Sequence, residues 1–290
     1  MPLTHPDRVV YPDRGTTKGD VANYYVSVMA WLLPEIINRP LSIIRCTQGT
    51  DKACFFQRHH TAGLRLVDAV PIVEDSGETA NYLVVRNAES LMELVQFNAI
   101  EFHPWGSTAE RPGRADRIVF DLDPGPGVPW PAMVAAASQI RELLQGVSLE
   151  SFVRTSGGKG LHVVVPLNPG CDWSMVKPFA RALATSLAAQ QPSRYVAVAT
   201  KSLRKGRIFI DYLRNDHSAT SIASYSLRAR VGAPVAAPLS WDELVKLKRA
   251  DAFDIESMPA RLARLRADPW ERIDEVVQDL DAVGELLTRS

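Results

Sequence analysis

Arg117-Ile118-Val119-Phe120-Asp121-Leu122-Asp123-Pro124-Gly125-Pro126-Gly127 is the stretch on which the reading of this chain turns. Ile118, Val119 and Phe120 read as a strand, and the Pro-Gly-Pro-Gly run ends it. Asp121 and Asp123 stand two positions apart, and on an extended chain such residues point to the same side. Two carboxylates therefore leave one face of a strand end. Anions that close repel unless a cation sits between them. Hard divalent ions such as magnesium or manganese take oxygen ligands of this kind. The blander reading is a strand that ends in a polar turn.

Working outward, Asp211 lies in Arg207-Ile208-Phe209-Ile210-Asp211-Tyr212-Leu213, an alternating strand pattern in which an acid is poor strand chemistry. A metal shared with Asp121 and Asp123 would account for it; the alternative is a strand-end acid paired with Arg207 or Arg214. Thr155-Ser156-Gly157-Gly158-Lys159-Gly160-Leu161-His162 joins two strand-like runs through glycines. Glycines let backbone N–H groups turn towards an anion, and Ser156, Lys159 and His162 add donors, as in a triphosphate cradle. It is not a Walker A loop, because a strand follows where that motif needs a helix. Arg214 and Arg228 suit bidentate phosphate contacts, or surface ion pairs. His103, between Phe102 and Pro104-Trp105, can contact a nucleotide or simply pack. Phe55-Phe56, beside Lys52, Arg58, His59 and His60, is either a platform for stacking bases or a core pair. Arg8 and Lys18 suit a terminal phosphate if they converge.

The remaining pattern interleaves helices and strands. Helices are expected over 19–38, 89–98, 131–144 and 173–189, and strands over 41–46, 70–73, 81–85, 100–102, 117–122, 152–155, 161–165, 195–199 and 207–212. The class is α/β or α+β, with a mixed, largely antiparallel sheet and helices on its faces. The neighbouring strands at 152–165 and at 195–212 are both expected to pair antiparallel.

Composition bounds the rest. The 290 residues are 46% apolar and 23% charged, a globular balance that excludes wholesale disorder. No run approaches the roughly 20 apolar residues of a membrane helix, and the N-terminus does not read as a secretory signal. Cys46, Cys54 and Cys171 are odd in number and widely spaced, which argues against a disulfide framework and against structural zinc. The expected location is cytoplasmic. Net charge is zero, but residues 1–241 carry 25 basic and 21 acidic side chains, whereas 242–290 carry 8 and 12. A basic face on a neutral protein is thus permitted.

Phe-Asp-Leu-Asp-Pro at 120–124, Thr-Ser-Gly-Gly-Lys-Gly-Leu-His at 155–162 and Asp-Tyr-Leu-Arg-Asn at 211–215, together with the arm Thr4–Pro12, resemble one family: the polymerase domain of bacterial DNA ligase D, in the archaeo-eukaryotic primase superfamily. The likeness runs from Thr4 to about Pro269. It implies a single primase-polymerase domain over 1–290, with an N-terminal lobe (1–100) carrying a DNA-end-binding arm, a catalytic lobe (101–240) and a C-terminal helical segment (241–290) packed on the core. It implies two catalytic ions, manganese or else magnesium, on Asp121, Asp123 and Asp211. His103, Ser156, Lys159, His162, Arg214 and Arg228 would line the site for a ribonucleoside or deoxyribonucleoside triphosphate. Phe55 and Phe56 would meet the templating base. His5, Arg8 and Lys18 would hold a 5′-phosphate at a DNA gap or end, and Arg204 would sit in a loop that arranges the active site on a break. The implied activity is primer extension and gap filling in non-homologous end joining, with ribonucleotides preferred. The implied partners are Ku and the ligase and phosphoesterase domains of the same polypeptide, at the nucleoid. The arm departs from the family's common Asn-Pro-Asp-Lys by reading His5-Pro6-Asp7-Arg8, and both replacements retain phosphate-binding groups. No ligase Lys-x-Asp-Gly motif is present, so the chain reads as a stand-alone polymerase or a piece of a larger ligase.

Two rival readings remain from the residues alone. A glycosyltransferase also uses Asp-x-Asp with manganese, but leaves the basic arm, the aromatic pair and Asp211 unexplained. A non-catalytic DNA-end adaptor would keep the arm without needing three carboxylates.

Overall fold

The computed structural model describes residues 2–74 and 76–280. The expectation of a helical segment over 241–290 therefore lies partly outside the described residues. The chain forms two compact units, each assembled from separated segments.

The first unit comprises the chain up to Pro112, Thr220–Ala237 and Asp251–Asp268. Its elements are β1 (Val9–Tyr11), β2 (Thr16–Thr17), α1 (Lys18–Ser27), α2 (Met29–Ile36), β3 (Pro40–Arg45), β4 (Phe55–Gln57), β5 (Asp68–Val73), β6 (Thr79–Val84), α3 (Ala88–Gln96) and β7 (Ala99–Pro104). β1 and β2 make a small antiparallel hairpin that leads into α1. The side chain of Thr17 caps α1 by accepting from the Asp20 backbone N–H, and Asp20 returns the favour at the Thr17 backbone. The single helix expected over 19–38 is two helices that meet at Val28. β3 is the hub of the sheet and pairs antiparallel with β4, β6 and β7, while β6 carries β5. The core gathers Tyr25, Leu32, Leu41, Leu91, Phe102 and Tyr225 from α1, α2, β3, α3, β7 and the 220–237 segment.

The cysteine expectation is corrected here: Cys46 and Cys54 form a disulfide, with Cα atoms 4.4 Å apart. β3 and β4 pair Arg45 with Phe55, so Cys46 and Cys54 are the next opposed positions of the hairpin. Their spacing in sequence does not show this, because the intervening 47–53 loop has no hairpin signature. Cys171 is a buried free thiol.

The second unit comprises Gly113–Ala219, Pro238–Ala250 and the segment from Pro269. Its elements are β8 (Arg114–Pro124), α4 (Trp130–Gly146), β9 (Phe152–Thr155), β10 (Leu161–Asp172), α5 (Trp173–Gln190), β11 (Tyr195–Val196), β12 (Ile208–Asp211), β13 (Pro238–Leu239) and α6 (Trp241–Lys246). They build a six-stranded sheet in the order β11-β12-β8-β10-β9-β13. β8 and β10 form its longest pairing, and their Ile118, Phe120, Leu122, Val163 and Val165 are fully buried. Returning to the first unit, α7 (Ser257–Leu262) adds Met258 and Leu262 to that unit's core.

The expected antiparallel pairing of the strands within 152–165 holds, but β11 and β12 pair parallel. The connection of residues 197–207, with a short 3₁₀ turn at Lys201–Leu203, is long enough to carry the chain back to the start of β12. Every other named strand pair is antiparallel. Among the described residues no helix is long and apolar enough to cross a membrane.

Candidate active site

In the second unit, register lines up chemistry that is scattered along the chain. On β8, Asp121 faces His162 of β10 on one side and Asp211 of β12 on the other. His162 in turn faces Arg154 of β9. Directly opposed residues project from the same sheet face, so Arg154, His162, Asp121 and Asp211 form one row across four strands. Asp123 joins them, being two positions from Asp121. Phe120, Leu122 and Ile210 alternate with them and are fully buried.

The row is tied by ions. Arg214 Nε lies 3.4 Å from Asp211 Oδ2 and 3.7 Å from Asp121 Oδ2. His162 Nε2 lies 3.4 Å from Asp121 Oδ1. The buried Arg154 guanidinium donates from Nε to His162 Nδ1 at 3.3 Å, which leaves the ring proton on Nε2, on the Asp121 side. Arg154 itself stacks over the Trp270 ring at 5.3 Å. Arg214 owes its place to the turn after β12. Asp211 Oδ1 accepts from the Leu213 N–H, and the buried Asn215 side chain both accepts from and donates to the Val119 backbone.

The donor set fits hard divalent ions: three carboxylates on one face, two of them largely buried. Among the described residues no three His, Cys, Asp or Glu side chains yet converge on one coordination point; Arg214 and Arg204 stand beside the carboxylates instead.

Two loops border the row. The Ser156–Gly160 turn is closed by a Ser156 N–H to Gly160 carbonyl bond of 3.0 Å, and Ser156 Oγ accepts from Gly158 and Gly160 N–H. A Cβ on Gly160 would lie 2.4 Å from the Leu122 carbonyl oxygen, so only glycine lets this turn rest on β8 between the two aspartates. Lys159 is exposed on the turn. On the other side, the 200–207 loop packs on the Pro-Gly-Pro-Gly turn through Gly125 N–H to Arg207 and Gly206 N–H to Pro126 bonds of 2.9 Å. A Cβ on Gly125 would fall 1.6 Å from the Arg204 carbonyl oxygen. Arg204, expected on a loop at the DNA, is turned inward. It stacks on Phe209 at 3.9 Å, with Nη1 3.8 Å from Asp123 Oδ2.

In the first unit, His103 sits in a separate cluster around Glu101. Glu101 Oε2 takes His103 Nε2 at 2.9 Å and Arg228 Nε at 3.0 Å, and Oε1 accepts from the Ala229 N–H at 2.8 Å. Burial alone would raise the Glu101 pKa, but the His103 hydrogen bond and the Arg228 charge hold it at about 2.

The arm places Arg8 and Lys18 on the end of α3. Arg8 donates to the Thr47 carbonyl at 2.9 Å and to Asn98. Lys18 Nζ donates to the carbonyls of Thr4 and Gln96 and to Gln96 Oε1, at 2.8–3.0 Å. Lys18 is a buried ammonium whose hydrogen-bond acceptors are all uncharged. Burial, aided by the Arg8 charge, lowers its pKa to about 8. His5 is exposed and holds a positive φ at the turn whose carbonyl accepts from the Arg8 N–H. Phe55 and Phe56 are 43% and 56% exposed on β4, so they are not core. The Arg45 guanidinium lies 5.0 Å from the Phe55 ring.

Sequence reading missed Glu101, Arg154 and Asn215. Glu101 had a signal, an acid alternating with Ile100 and Phe102 two positions from His103. Arg154 adjoins the glycine turn, but only strand register reveals its contact with His162.

The family described as LigD, primase-polymerase domain, matches residues 17–270. The multifunctional non-homologous end joining protein LigD of Pseudomonas aeruginosa is 39% identical over 271 residues, which are 92% of this chain and 32% of that protein. The Mycolicibacterium smegmatis protein of the same name is 36% identical over 98% of this chain and 35% of its own length. The chain thus spans about a third of these relatives. Among solved structures, the polymerase domain from Mycobacterium tuberculosis ligase D in complex with DNA superposes with a TM-score of 0.87 at 34% identity, covering 95% of this chain and 98% of that one.

Proposed function

The chain belongs to the LigD primase-polymerase domain family, a family of nucleotidyltransferases, and from that membership we propose that it extends primers and fills short gaps at DNA double-strand breaks in non-homologous end joining, preferring ribonucleotides. The observation that carries this reading is the row Arg154–His162–Asp121–Asp211 with Asp123 beside it.

Asp121, Asp123 and Asp211 would hold one divalent ion, and Asp121 with Asp123 a second; manganese or magnesium suits these oxygens. Bound there, the ions would lower the pKa of the primer 3′-hydroxyl and neutralise the leaving pyrophosphate. The protein's own groups do the rest. The Ser156–Gly160 turn and Lys159 offer donors to the triphosphate. His162, its proton held on Nε2 by Arg154, is a donor rather than a base. Arg214 and Arg228 add charge, and His103 and Ser156 help select the sugar. Preorganised donors of this kind favour the transition state because they need no reorganisation as charge develops.

Lys18 and Arg8, with His5, would take the 5′-phosphate at a gap or end. What supports this is that two cations, Arg8 and Lys18, stand together at the end of α3, with Lys18 bound by neutral oxygens. Exposed Phe55 and Phe56 would stack on the templating base, and Arg204 would leave Asp123 as the ions and DNA enter. Ku and the ligase and phosphoesterase domains of a longer polypeptide are the proposed partners, at the nucleoid.

The test is primer extension on a gapped duplex bearing a 5′-phosphate, with manganese and ribo- or deoxyribonucleotides. Extension by the wild type, faster with ribonucleotides and absent in Asp123→Ala, is expected. Extension by Asp123→Ala equal to the wild type would overturn the carboxylate assignment.

A further inference from the structure

We propose that Glu101 is a positioning residue that sets the geometry of the two nucleotide contacts His103 and Arg228; the inference rests on the nucleotide role proposed above. β7 places Glu101 and His103 two residues apart, hence on one side of the strand. Glu101 is only 5% exposed, and a buried carboxylate is costly unless fully matched. Its two oxygens meet three donors at 2.8–3.0 Å. A structural acid needs one cation. This one meets both first-unit side chains assigned to the nucleotide, on a single oxygen.

Each bond has a directional consequence. With Nε2 of His103 committed to the carboxylate, the ring plane is fixed. Orientation of an imidazole by a carboxylate behind it is the arrangement that supports histidines in metal and catalytic sites. The Arg228 main chain is anchored from both sides, by Tyr11 Oη donating to its carbonyl at 2.9 Å and by its own N–H donating to Pro234 at 2.8 Å. Glu101 then grips Nε, which fixes the guanidinium against the carboxylate. The Ala229 N–H on the other oxygen fixes the carboxylate itself. Glu101 is itself an anion, so what it adds to the cluster is orientation rather than attraction for the triphosphate.

The test is steady-state primer extension with Glu101→Gln and Glu101→Asp. Positioning predicts that KM for the incoming nucleotide rises about tenfold, that kcat changes much less, and that affinity for the gapped duplex is unchanged. Glu101→Asp keeps the charge but withdraws it by one methylene, so it raises KM too. An Asp variant with wild-type KM would overturn the inference, even if the Gln variant fails to fold. Combining Glu101→Gln with His103→Ala and Arg228→Met should add less than about twofold, because the same partners are used. Fully additive losses would overturn it. A wild type that extends primers beside unaffected Glu101 variants defeats this inference alone. A wild type that extends nothing defeats the nucleotide reading, and this one with it.

Discussion

Glu101 in the first unit and Asp121 and Asp211 in the second are carboxylates largely withdrawn from water, yet their cations stand at different distances. Glu101 has three donors within hydrogen-bond length, one of them backbone. Asp121, Asp123 and Asp211 have side-chain cations standing at 3.4–3.8 Å. The first arrangement is a finished network, strengthened by its low-dielectric surroundings. The second is a set of anions steadied by cationic side chains at ion-pair distance and, at Asp211, by the Leu213 N–H. The lesson is that burial of an acid does not reveal its task; the length and kind of its bonds do.

The sharpest way to break this comparison is activity. Asp211→Ala should lower primer extension by at least about a thousandfold, as loss of metal-ion catalysis does, with DNA affinity nearly intact. Near-normal extension would mean the row is structural.

Stability separates the two sites next. Asp211→Asn removes one of two neighbouring anions, so its thermal midpoint should match or exceed the wild type. Glu101→Gln leaves the partly buried Arg228 guanidinium without its charge partner and should cost about 3 kcal/mol, measured by denaturant unfolding at neutral pH. The same loss has a definite pH course. The folded Glu101 pKa of about 2 lies below its ordinary 4.5. Its stabilisation is therefore full above pH 4.5 and fades as pH falls towards 2. Wild type and Glu101→Gln should converge in stability over that window; a gap that persists at pH 2 would assign the effect to packing.

Lys18 extends the contrast to a cation. Its folded pKa of about 8 lies below the ordinary 10.5. Burial of the charged form thus costs stability below pH 8, and this cost is relieved as pH rises towards 10.5. Binding of a 5′-phosphate should run the other way and weaken several-fold between pH 7 and 9 as the ammonium loses its proton, a change of about tenfold at most. Lys18→Arg should abolish that pH dependence; an unchanged profile would remove Lys18 from the phosphate site.

The smallest effect concerns the hairpin under Phe55 and Phe56. Serine at both Cys46 and Cys54, or a dithiol reductant, should lower stability by about 2 kcal/mol, in line with closing a short loop. Catalysis should persist, because the disulfide touches neither carboxylate set. Equal unfolding curves with and without reductant would show the crosslink to be dispensable.

Much of this was legible in residue order. Asp121 and Asp123 announce themselves because a strand repeats every two residues, and Asp211 because an acid interrupts apolar alternation. The glycine turn and the paired strands at 152–165 follow from local rules of the same kind. Arg154, Asn215 and Glu101 were not legible in their roles. Arg154 matters because β9 and β10 pair in one register and not another. Asn215 matters because it reaches back 96 residues to Val119. The parallel pairing of β11 with β12 and the Cys46–Cys54 bond likewise depend on where loops return the chain.

Sequence alone therefore determined which groups this protein carries: its three aspartates, its glycine turn and its family. Tertiary structure alone decided which groups surround them, placing Arg154 behind His162, Arg214 between two aspartates and Glu101 beneath His103 and Arg228. The physical reason is range. Alternation, turns and caps act over a few residues, whereas strand register and the burial of a charge are settled by partners brought together from distant parts of the chain.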